Sequence, residues 1–314
     1  MKKKLALLLA GILCVASLTA CGSSTDTTET TEDTTAATTE ATTEDTEEAT
    51  EEAVAQATGA ITVVTREDGS GTRGAFTEIC GILDEDGNDI TTVEATVISS
   101  TGGVLTAVAS DTQAIGYISL GSLNDTVKAV TVEGVEATSE NILSGEYAVA
   151  RPFNIAVGTG ADLDPIAEEL IAYIFSAEGQ EIVEAEGYIP VEVTTEEFVS
   201  EQPSGSITVG GSTSVNPVME AIIEAYNELN PNATINLEGG GSSAGMSGAI
   251  DGTFDIGMAS REMKDSELES LTGYVMAQDG IAVIVNNENV LEDVSLEDIM
   301  NIYTSTITTY DELY

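Results

Sequence analysis

Histidine is absent from this chain, and positive charge is scarce. Of 314 residues, 9 are lysine or arginine, against 55 that are aspartate or glutamate. Without histidine, acid–base catalysis by imidazole, Ser-His-Asp triads and histidine-ligated zinc are excluded. A formal net charge of −46 argues against nucleic acid and anionic membrane surfaces as partners. No cofactor is predicted.

Cysteine is also scarce, with 3 in the chain. Cys14 and Cys21 belong to the N-terminal segment, so Cys80 stands alone in the rest of the sequence. A single thiol cannot form an intrachain disulfide, and the fold must therefore depend on its hydrophobic core. Cys80 lies in an apolar helical pattern with Phe76 and Leu83, which predicts a buried small hydrophobe.

The N-terminus predicts export. Residues 1–20 join three lysines to a short apolar run, which is typical of a secretory signal and too short to span a membrane. The segment LTACG at its end resembles a bacterial lipobox. This resemblance implies that Cys21 is lipidated and anchors the protein to the extracytoplasmic face of the membrane, as in a Gram-positive bacterium. The alternative is an ordinary cleaved signal in which Cys21 is incidental.

Composition divides the remaining chain. Residues 21–58 consist largely of Thr, Glu, Asp and Ala, without aromatic side chains, and are predicted to be a disordered tether. Residues 60–314 suit two lobes better than one core. A polar stretch with proline and glycine predicts a linker over 196–205, which separates segment 60–195 from segment 206–314.

Three loops rich in glycine and hydroxyl side chains each follow a predicted strand and precede a predicted helix. They are DGSGT (68–72), GGSTS (210–214) and GGGSSAG (239–245). Alternating strands and helices predict an α/β fold with a mostly parallel sheet, whose ligands bind at the carboxyl ends of the strands. A helix N-terminus favours an anion because its N–H groups are unpaired. One such loop can simply cap a helix, whereas three together favour an anion site.

Further helices are predicted at 163–177, 178–186, 264–270 and 295–303. In the last of these, Ser295 and Asp298 form a predicted capping pair.

Two arginines strengthen the anion interpretation. Arg66 precedes the first loop and Arg261 follows Ser260, and a guanidinium makes paired hydrogen bonds to a tetrahedral oxyanion. For Arg73, a salt bridge and a ligand contact remain equally open. Arg151 is predicted to be structural.

Enzyme and metal motifs are excluded. Residues 241–245 fit the G-x-S-x-G pattern, but no histidine is present to complete a triad, and no Walker-type loop occurs. The run DEDGND (84–89) lacks the spaced ligands of a calcium loop and is predicted to be a polar turn. The chain is not expected to be an enzyme.

The longer motifs resemble a known family. TREDGSGTRGAF, SSTGGV, AIGYIS and GQEIVEAEGYIPV resemble the second half of the phosphate-binding proteins of phosphate ABC transporters. ITVGGSTSVNPVMEAI, EGGGSSAGMSGAIDGTFDIGMASREM and AQDGIAVIVNNEN resemble the first half. Since the family has these halves in the opposite order, the chain resembles a circular permutant. The alternative is a piece of a longer protein with tandem half-units.

The resemblance implies a two-lobed, periplasmic-binding-protein-like (type II) fold. Mixed, mostly parallel sheets flanked by helices would form lobes of about 151–275 and of 60–150 plus 276–314. The segments AQDGIAVIVN and RPFNIAVG would cross the hinge between these lobes. A single chain closing on itself and two chains exchanging halves remain alternatives.

The resemblance also implies a phosphate site built from both lobes. Its residues would be Arg66, Ser70, Gly71, Thr72, Thr213, Ser214, Ser242, Ser260 and Arg261. Asp68 would hold Arg66 in place. Many members have an Asp at the position of Arg261, and that Asp accepts the proton which phosphate carries and sulfate lacks. With Arg261 here, the proton acceptor is unidentified, and discrimination against sulfate is less secure.

The implied function is capture of inorganic phosphate by an extracellular, lipid-anchored solute-binding protein that delivers it to an ABC permease. Binding of another tetrahedral oxyanion (sulfate, molybdate or tungstate) is an alternative. A phosphate sensor or adhesin without a transport role is another.

Overall fold

The computed structural model describes residues 57–192 and 198–314. The predicted signal peptide, Cys21 and nearly all of the predicted tether lie outside the described residues. Ala57, which the composition assigns to the tether, is buried, and its N–H donates to the hydroxyl of Tyr314 at 3.3 Å. The folded region therefore includes Ala57. Ala53–Tyr314 forms one compact unit.

Strands and helices alternate along most of the described chain. The strands are β1 (Thr62–Arg66), β2 (Thr96–Ile98), β3 (Ala114–Ser119), β4 (Val127–Ala129), β5 (Thr131–Val132), β6 (Ala150–Gly158), β7 (Ile189–Pro190), β8 (Gly205–Gly211), β9 (Ala233–Gly239), β10 (Ile256–Ala259), β11 (Leu271–Asn286) and β12 (Asp293–Val294). The helices are α1 (Gly71–Ile79), α2 (Thr101–Ser110), α3 (Ser139–Ser144), α4 (Pro165–Ile174), α5 (Ala177–Ala185), α6 (Asn216–Leu229), α7 (Ser242–Asp251), α8 (Asp265–Leu268) and α9 (Leu296–Tyr303).

The main sheet is mixed. Its strands follow the order β2-β1-β3-β11-β6-β10-β8-β9, with β4 and β7 paired to β11 off this path. The outer strands pair in parallel, β1 with β2 and β3 at one end and β8 with β9 and β10 at the other. The central pairs between β3, β11, β6 and β10 are antiparallel. This is the mixed α/β architecture that the sequence predicts.

Strand β11 connects the two ends of this sheet. Its residues 271–280 pair with β6, and its residues 281–285 pair with β3. The sequences of β6 and β11 contain the two segments expected to cross a hinge, RPFNIAVG and AQDGIAVIVN. The long strand therefore runs from one half of the sheet into the other.

Hydrophobic cores lie on both sides of this crossing. One pair of cores is built from residues between 57 and 149 together with residues between 281 and 313, here named lobe A. The other pair, between 153 and 277, is named lobe B. Cys80 is buried in lobe A, and burial raises the pKa of its thiol to about 12. Its predicted character as a buried hydrophobe is confirmed.

The sequence signals for helix ends are visible in the structure. Ser295 caps α9: its hydroxyl accepts from the N–H of Asp298, whose carboxylate accepts from the N–H of Ser295, both at 3.0 Å. This is the predicted capping pair, and reciprocal bonds of this kind satisfy two N–H groups at the helix start. Helices α4, α5 and α8 lie within or close to the other predicted ranges.

The described part of the predicted linker packs on lobe B. The ring of Phe198 lies 4.9 Å from that of Tyr173, and the Ser200 hydroxyl donates to Glu169 at 2.7 Å. Aromatic contacts and a charge-assisted hydrogen bond therefore hold this stretch against helix α4. Within the described ranges, no helix combines the length and hydropathy needed to cross a membrane.

Candidate functional site

The three predicted loops all lead from a strand into a helix. The first joins β1 to α1, the second joins β8 to α6, and the third joins β9 to α7. Gly69 and Gly241 both have a φ of +85°, a conformation that glycine adopts without a steric penalty. Each turn therefore connects the end of a strand directly to a helix N-terminus, where unpaired N–H groups can bind an anion.

Hydroxyl groups from these loops meet between the lobes. The Thr72 and Ser214 hydroxyls lie 2.8 Å apart, and the Ser212 hydroxyl donates to that of Ser260 at 2.8 Å. The Ser214 N–H donates to Ser212 at 3.3 Å and joins the two pairs. We name this group the hydroxyl cluster; its members are Thr72, Thr101, Ser212, Thr213, Ser214, Ser242 and Ser260. All of them except the half-buried Thr213 are buried.

Arg66 extends the hydroxyl cluster with a positive charge. Its side chain is 2% exposed, although it is one of the few cations of a very acidic chain. Its Nη2 donates to Thr213 at 3.0 Å, and its Nη1 donates to Thr101 at 3.3 Å. The structure therefore places the predicted arginine, from lobe A, against a hydroxyl of lobe B.

The residue that orients Arg66 is Glu67, and the assignment of this role to Asp68 is wrong. Glu67 accepts from Nε of Arg66 at 2.8 Å and from Nη2 at 2.9 Å. The Asp68 side chain is 98% exposed and pairs with Arg73 at 2.9 Å. Asp68 lies in the turn just before Gly69, which directs its carboxylate outwards. Bidentate pairing to Glu67 fixes the plane of the guanidinium.

Gly71 brings the two lobes into close approach. A β-carbon at this position would overlap the hydroxyl oxygen of Ser242 and stand 2.8 Å from that of Ser260. The Gly71 backbone of lobe A therefore lies directly against two hydroxyls of lobe B. Its neighbour Ser70 caps α1, since its hydroxyl accepts from the N–H of Arg73 at 3.4 Å.

Arg261 lies apart from the hydroxyl cluster. Its guanidinium makes a bidentate ion pair with Glu267, at 2.9 Å and 2.7 Å, and donates to the Glu262 carbonyl at 2.8 Å. Burial raises the pKa of Glu267, but hydrogen bonds from Arg261 and the Lys264 N–H outweigh it, and the net shift is downwards. A carboxylate six residues along the chain thus holds the Arg261 guanidinium, while Ser260 lies within the cluster.

Arg73 and Arg151 both have carboxylate partners. Arg73 donates to Asp89 at 2.6 Å as well as pairing with Asp68, so the salt bridges expected as one of its two alternatives are present. Arg151, predicted to be structural, is buried and pairs with buried Asp279 at 3.0 Å.

The Arg151–Asp279 pair joins the crossing strands to both lobes. Arg151 donates to the carbonyl of Ser260 in lobe B at 3.0 Å, and Asp279 accepts from the hydroxyl of Ser119 in lobe A at 3.0 Å. Burial raises the pKa of Asp279 to about 6, although Arg151 and Ser119 both donate to its carboxylate. The backbone of the cluster residue Ser260 is therefore held by Arg151, which lies on the crossing strand β6.

Sequence reasoning missed Thr101, Ser212 and Glu67. Thr101 opens α2 after Ser100, whose hydroxyl accepts from the N–H of Gly103 at 3.1 Å. This fourth loop could have been found, because Ser-Ser-Thr-Gly-Gly after a short strand is a helix-start signal. Ser212 stands inside the recognised GGSTS loop. Glu67 could not be separated from Asp68 without the backbone geometry.

In the part of the chain that the structure describes, the cluster hydroxyls have no carboxylate partner. Within the described ranges, no carboxylate oxygen is hydrogen-bonded to a cluster hydroxyl, and Glu67 directs both of its oxygens to Arg66. No metal-binding group of His, Cys, Asp and Glu occurs among the described residues. Helix N-termini, hydroxyl donors and one guanidinium together form a site suited to a small oxyanion.

Comparisons with known proteins agree with one another. The sequence model of the PBP superfamily domain matches residues 19–178 and 198–313. The phosphate-binding protein PstS 2 of Streptococcus pneumoniae is 45% identical over 260 residues, covering 82% of this chain and 89% of the relative. A crystal structure of a phosphate-binding protein of a phosphate ABC transporter from the same species matches with a TM-score of 0.66 at 45% identity. It covers 82% of this chain and 100% of the other.

The order of the two halves is shared with the streptococcal relative. A match of 260 residues is longer than either half, so it passes through both in the order seen here. Phosphate-binding protein PstS of Bacillus subtilis is 32% identical over 116 residues, which cover 36% of this chain and 39% of the relative. A reversed order relative to other members of the family stays a prediction. In the present structure, one chain brings the loops of both halves together.

Proposed function

Because this chain belongs to the PBP superfamily and, within it, to the phosphate-binding proteins of phosphate ABC transporters, we propose that it binds inorganic phosphate between its lobes. The observation that carries this proposal is the convergence of buried Arg66 with the hydroxyl cluster. Arginine supplies charge and two parallel N–H groups, and the hydroxyls can donate or accept as the ligand requires.

The energetics are consistent with reversible capture. Micromolar affinity corresponds to about 8 kcal/mol of binding free energy. Hydrogen bonds to a charged group contribute about 1.5–3 kcal/mol each, from which the cost of association is subtracted. The large negative charge of the chain does not prevent binding, because fields of exposed charges are screened beyond about 8 Å at physiological salt. The donors close to the ligand therefore decide the affinity.

The proposed biological role is delivery of phosphate to the permease of an ABC importer. The relatives carry the name phosphate-binding protein, which supports a binding role and not an enzymatic one. Export and lipid anchoring through Cys21 are part of the proposal. They would keep the protein on the extracytoplasmic face of the membrane, close to its permease.

A second candidate is a different tetrahedral oxyanion, such as sulfate. Phosphate near neutral pH still carries a proton and sulfate does not, so a free carboxylate in the site would favour phosphate. Here the carboxylate nearest to Arg66 is Glu67, and both of its oxygens already accept from that arginine. The proton of phosphate would therefore have to be accepted by a neutral oxygen, which leaves less selectivity against sulfate.

Isothermal titration calorimetry of the compact unit Ala53–Tyr314 tests this function. Phosphate is expected to give a saturable heat at micromolar concentrations, and sulfate a weaker one. Absence of heat up to millimolar phosphate would contradict the proposal. Saturation by sulfate with the higher affinity would support the second candidate instead.

Thr101 is expected to contribute to affinity. Replacement Thr101→Val keeps the shape of the side chain but removes the hydroxyl that contacts Arg66 and Ser214. Loss of one hydrogen bond is worth about 1 kcal/mol, so the dissociation constant should rise about fivefold to tenfold in the calorimetric titration. Thr106→Val, on the exposed part of the same helix, should leave it unchanged. Equal affinities for both variants would exclude Thr101 from the site.

Glu67 and Asp68 provide a direct test of which residue orients Arg66. Glu67→Gln removes the charge that fixes the guanidinium, and we expect phosphate binding to weaken about tenfold. Asp68→Asn changes an exposed carboxylate that contacts Arg73, and the dissociation constant should stay within about twofold. The reverse ranking of the two variants would restore the role to Asp68.

A further inference from the structure

Arg151 and Asp279 form a buried ion pair where the two crossing strands lie side by side. The two residues face each other in the antiparallel pairing of β6 with β11, and each side chain is 1% exposed. A buried ion pair contributes little net stability, because the desolvation of its charges offsets their attraction. The stability of the fold alone therefore does not account for an ion pair at this place.

The guanidinium of Arg151 donates to two partners. Its Nε and Nη2 donate to the same oxygen of Asp279, at 3.1 Å and 3.0 Å, and its Nη1 donates to the carbonyl of Ser260 at 3.0 Å. Because the guanidinium is planar, its pairing with Asp279 fixes the direction in which Nη1 points. A lysine at this position could neutralise Asp279, but its ammonium is a compact charge that could not hold both partners in this geometry.

Ser260 connects this ion pair to the hydroxyl cluster. The residue is fully buried, and its polar groups all have partners. Its N–H donates to the Ser242 hydroxyl at 3.0 Å, its hydroxyl accepts from Ser212 at 2.8 Å, and its carbonyl accepts from Arg151. Because these groups belong to one residue, a shift of the carbonyl also moves the hydroxyl that stands in the cluster.

A second side chain of β6 holds the next carbonyl of the same turn. The buried amide of Asn154 donates to the carbonyl of Arg261 at 2.8 Å. Side chains of one crossing strand therefore fix two consecutive carbonyls after β10. The Ser260 hydroxyl on this turn lies at the contact between the lobes, since a β-carbon on Gly71 would stand 2.8 Å from it.

From this geometry we propose that Arg151 is a positioning residue for phosphate binding. Paired with Asp279, it holds the Ser260 carbonyl so that the Ser260 hydroxyl keeps the place from which it meets the anion. Arg151 acts through Ser260 and not by contact with phosphate. The inference rests on the proposed binding of phosphate by the hydroxyl cluster, and it gives Arg151 a role beyond the structural one that the sequence predicts.

Calorimetric titration of the full chain with inorganic phosphate tests this role. A pH of about 8 keeps the ion pair charged, since burial raises the pKa of Asp279 to about 6. Arg151→Lys keeps the charge opposite Asp279 but loses the N–H directed to Ser260. The dissociation constant should rise about fivefold to tenfold, which corresponds to the loss of one hydrogen bond.

A double-mutant cycle with Ser260→Ala distinguishes positioning from a general structural effect. In that background there is no hydroxyl to position, so Arg151→Lys should change the dissociation constant less than about twofold. Full weakening in both backgrounds would overturn the proposal, because Arg151 would then act by a route other than Ser260. A lower thermal stability of Arg151→Lys with unchanged phosphate affinity would overturn it as well.

Ser119→Ala is the matched control. It removes a hydrogen bond of the same length from the other side of the ion pair, since the Ser119 hydroxyl donates to Asp279 at 3.0 Å. The bond from Arg151 to Ser260 stays in place, so the dissociation constant should remain within about twofold of that of the unmodified chain. Equal weakening by Ser119→Ala and Arg151→Lys would mean that the ion pair acts by joining the lobes, and would overturn the positioning role.

A neutral pair keeps the test decisive if Arg151→Lys does not fold. The double variant Arg151→Gln with Asp279→Asn leaves neither charge buried without a partner. It should unfold cooperatively on heating and still bind phosphate about fivefold to tenfold more weakly, because the Ser260 carbonyl has lost its donor. Unmodified affinity in this folded variant would overturn the positioning role alone. Failure of the unmodified chain to bind phosphate would instead contradict the proposed function.

Discussion

Replacement of Arg66 by alanine is expected to weaken phosphate binding by about 100-fold or more. The guanidinium is buried, and it donates to hydroxyls of both lobes, Thr101 and Thr213. Truncating one member of a buried, hydrogen-bonded charge pair typically costs about 2–5 kcal/mol, and the middle of this range converts to a factor of about several hundred. Calorimetric titration with phosphate measures the change.

Arg66→Ala is expected to lower the affinity for phosphate without unfolding the protein. Glu67, the partner left behind, retains access to solvent, so its carboxylate can be hydrated after the substitution. The thermal unfolding profile of Arg66→Ala should therefore still show a folded protein. Arg66→Lys keeps the charge but loses the paired N–H groups, and it should bind with intermediate affinity. Wild-type affinity in Arg66→Ala would remove the arginine from the site and contradict the proposed function in its present form.

Replacement of Gly71 by alanine is expected to raise the dissociation constant for phosphate by about 10- to 100-fold. The added methyl group would overlap the hydroxyl oxygen of Ser242 and press on that of Ser260. Overpacking of this kind costs about 1–3 kcal/mol, and here the cost falls on the closed arrangement of the lobes. The helix itself should not suffer, because alanine favours helix formation over glycine.

The test combines calorimetry with small-angle X-ray scattering. Gly71→Ala should remain folded and should compact less than the unmodified chain when phosphate is added. Gly102→Ala is the matched control, since Gly102 also lies in the first turn of a helix and a β-carbon there meets no atom within 4 Å. Unchanged affinity in Gly71→Ala would mean that phosphate binding does not need the lobes to approach as closely as they do here.

The sequence predicts the loops of the candidate site well because helix starts are encoded locally. A glycine for the turn and a hydroxyl at the cap are sufficient to mark DGSGT, GGSTS and GGGSSAG. Arg66 stands out for a different reason, because cations are scarce in this chain. The structure brings these loops together from segments about 140 residues apart along the chain. That they lie close together could be predicted only from the resemblance to a family.

The partners of the charged side chains could not be predicted in the same way. Glu67 and Asp68 are neighbours, and the turn at Gly69 decides which of them faces Arg66. Arg261 has its partner Glu267 on the short helix α8, a contact that depends on how that helix packs. Such choices depend on side-chain directions in three dimensions, whereas a spacing pattern reports only the secondary structure.

Strand β11 has a consequence for the stability of the whole unit. Of its 16 residues, 271–280 pair with β6 in one half of the sheet and 281–285 pair with β3 in the other. Neither lobe can unfold without removing the neighbours of a strand on which the other lobe also depends. Buried Asp279 on this strand connects to both lobes as well, through Ser119 and through Arg151. We therefore expect the cores of the two lobes to melt together as one cooperative unit, even though the lobes enclose separate hydrophobic interiors.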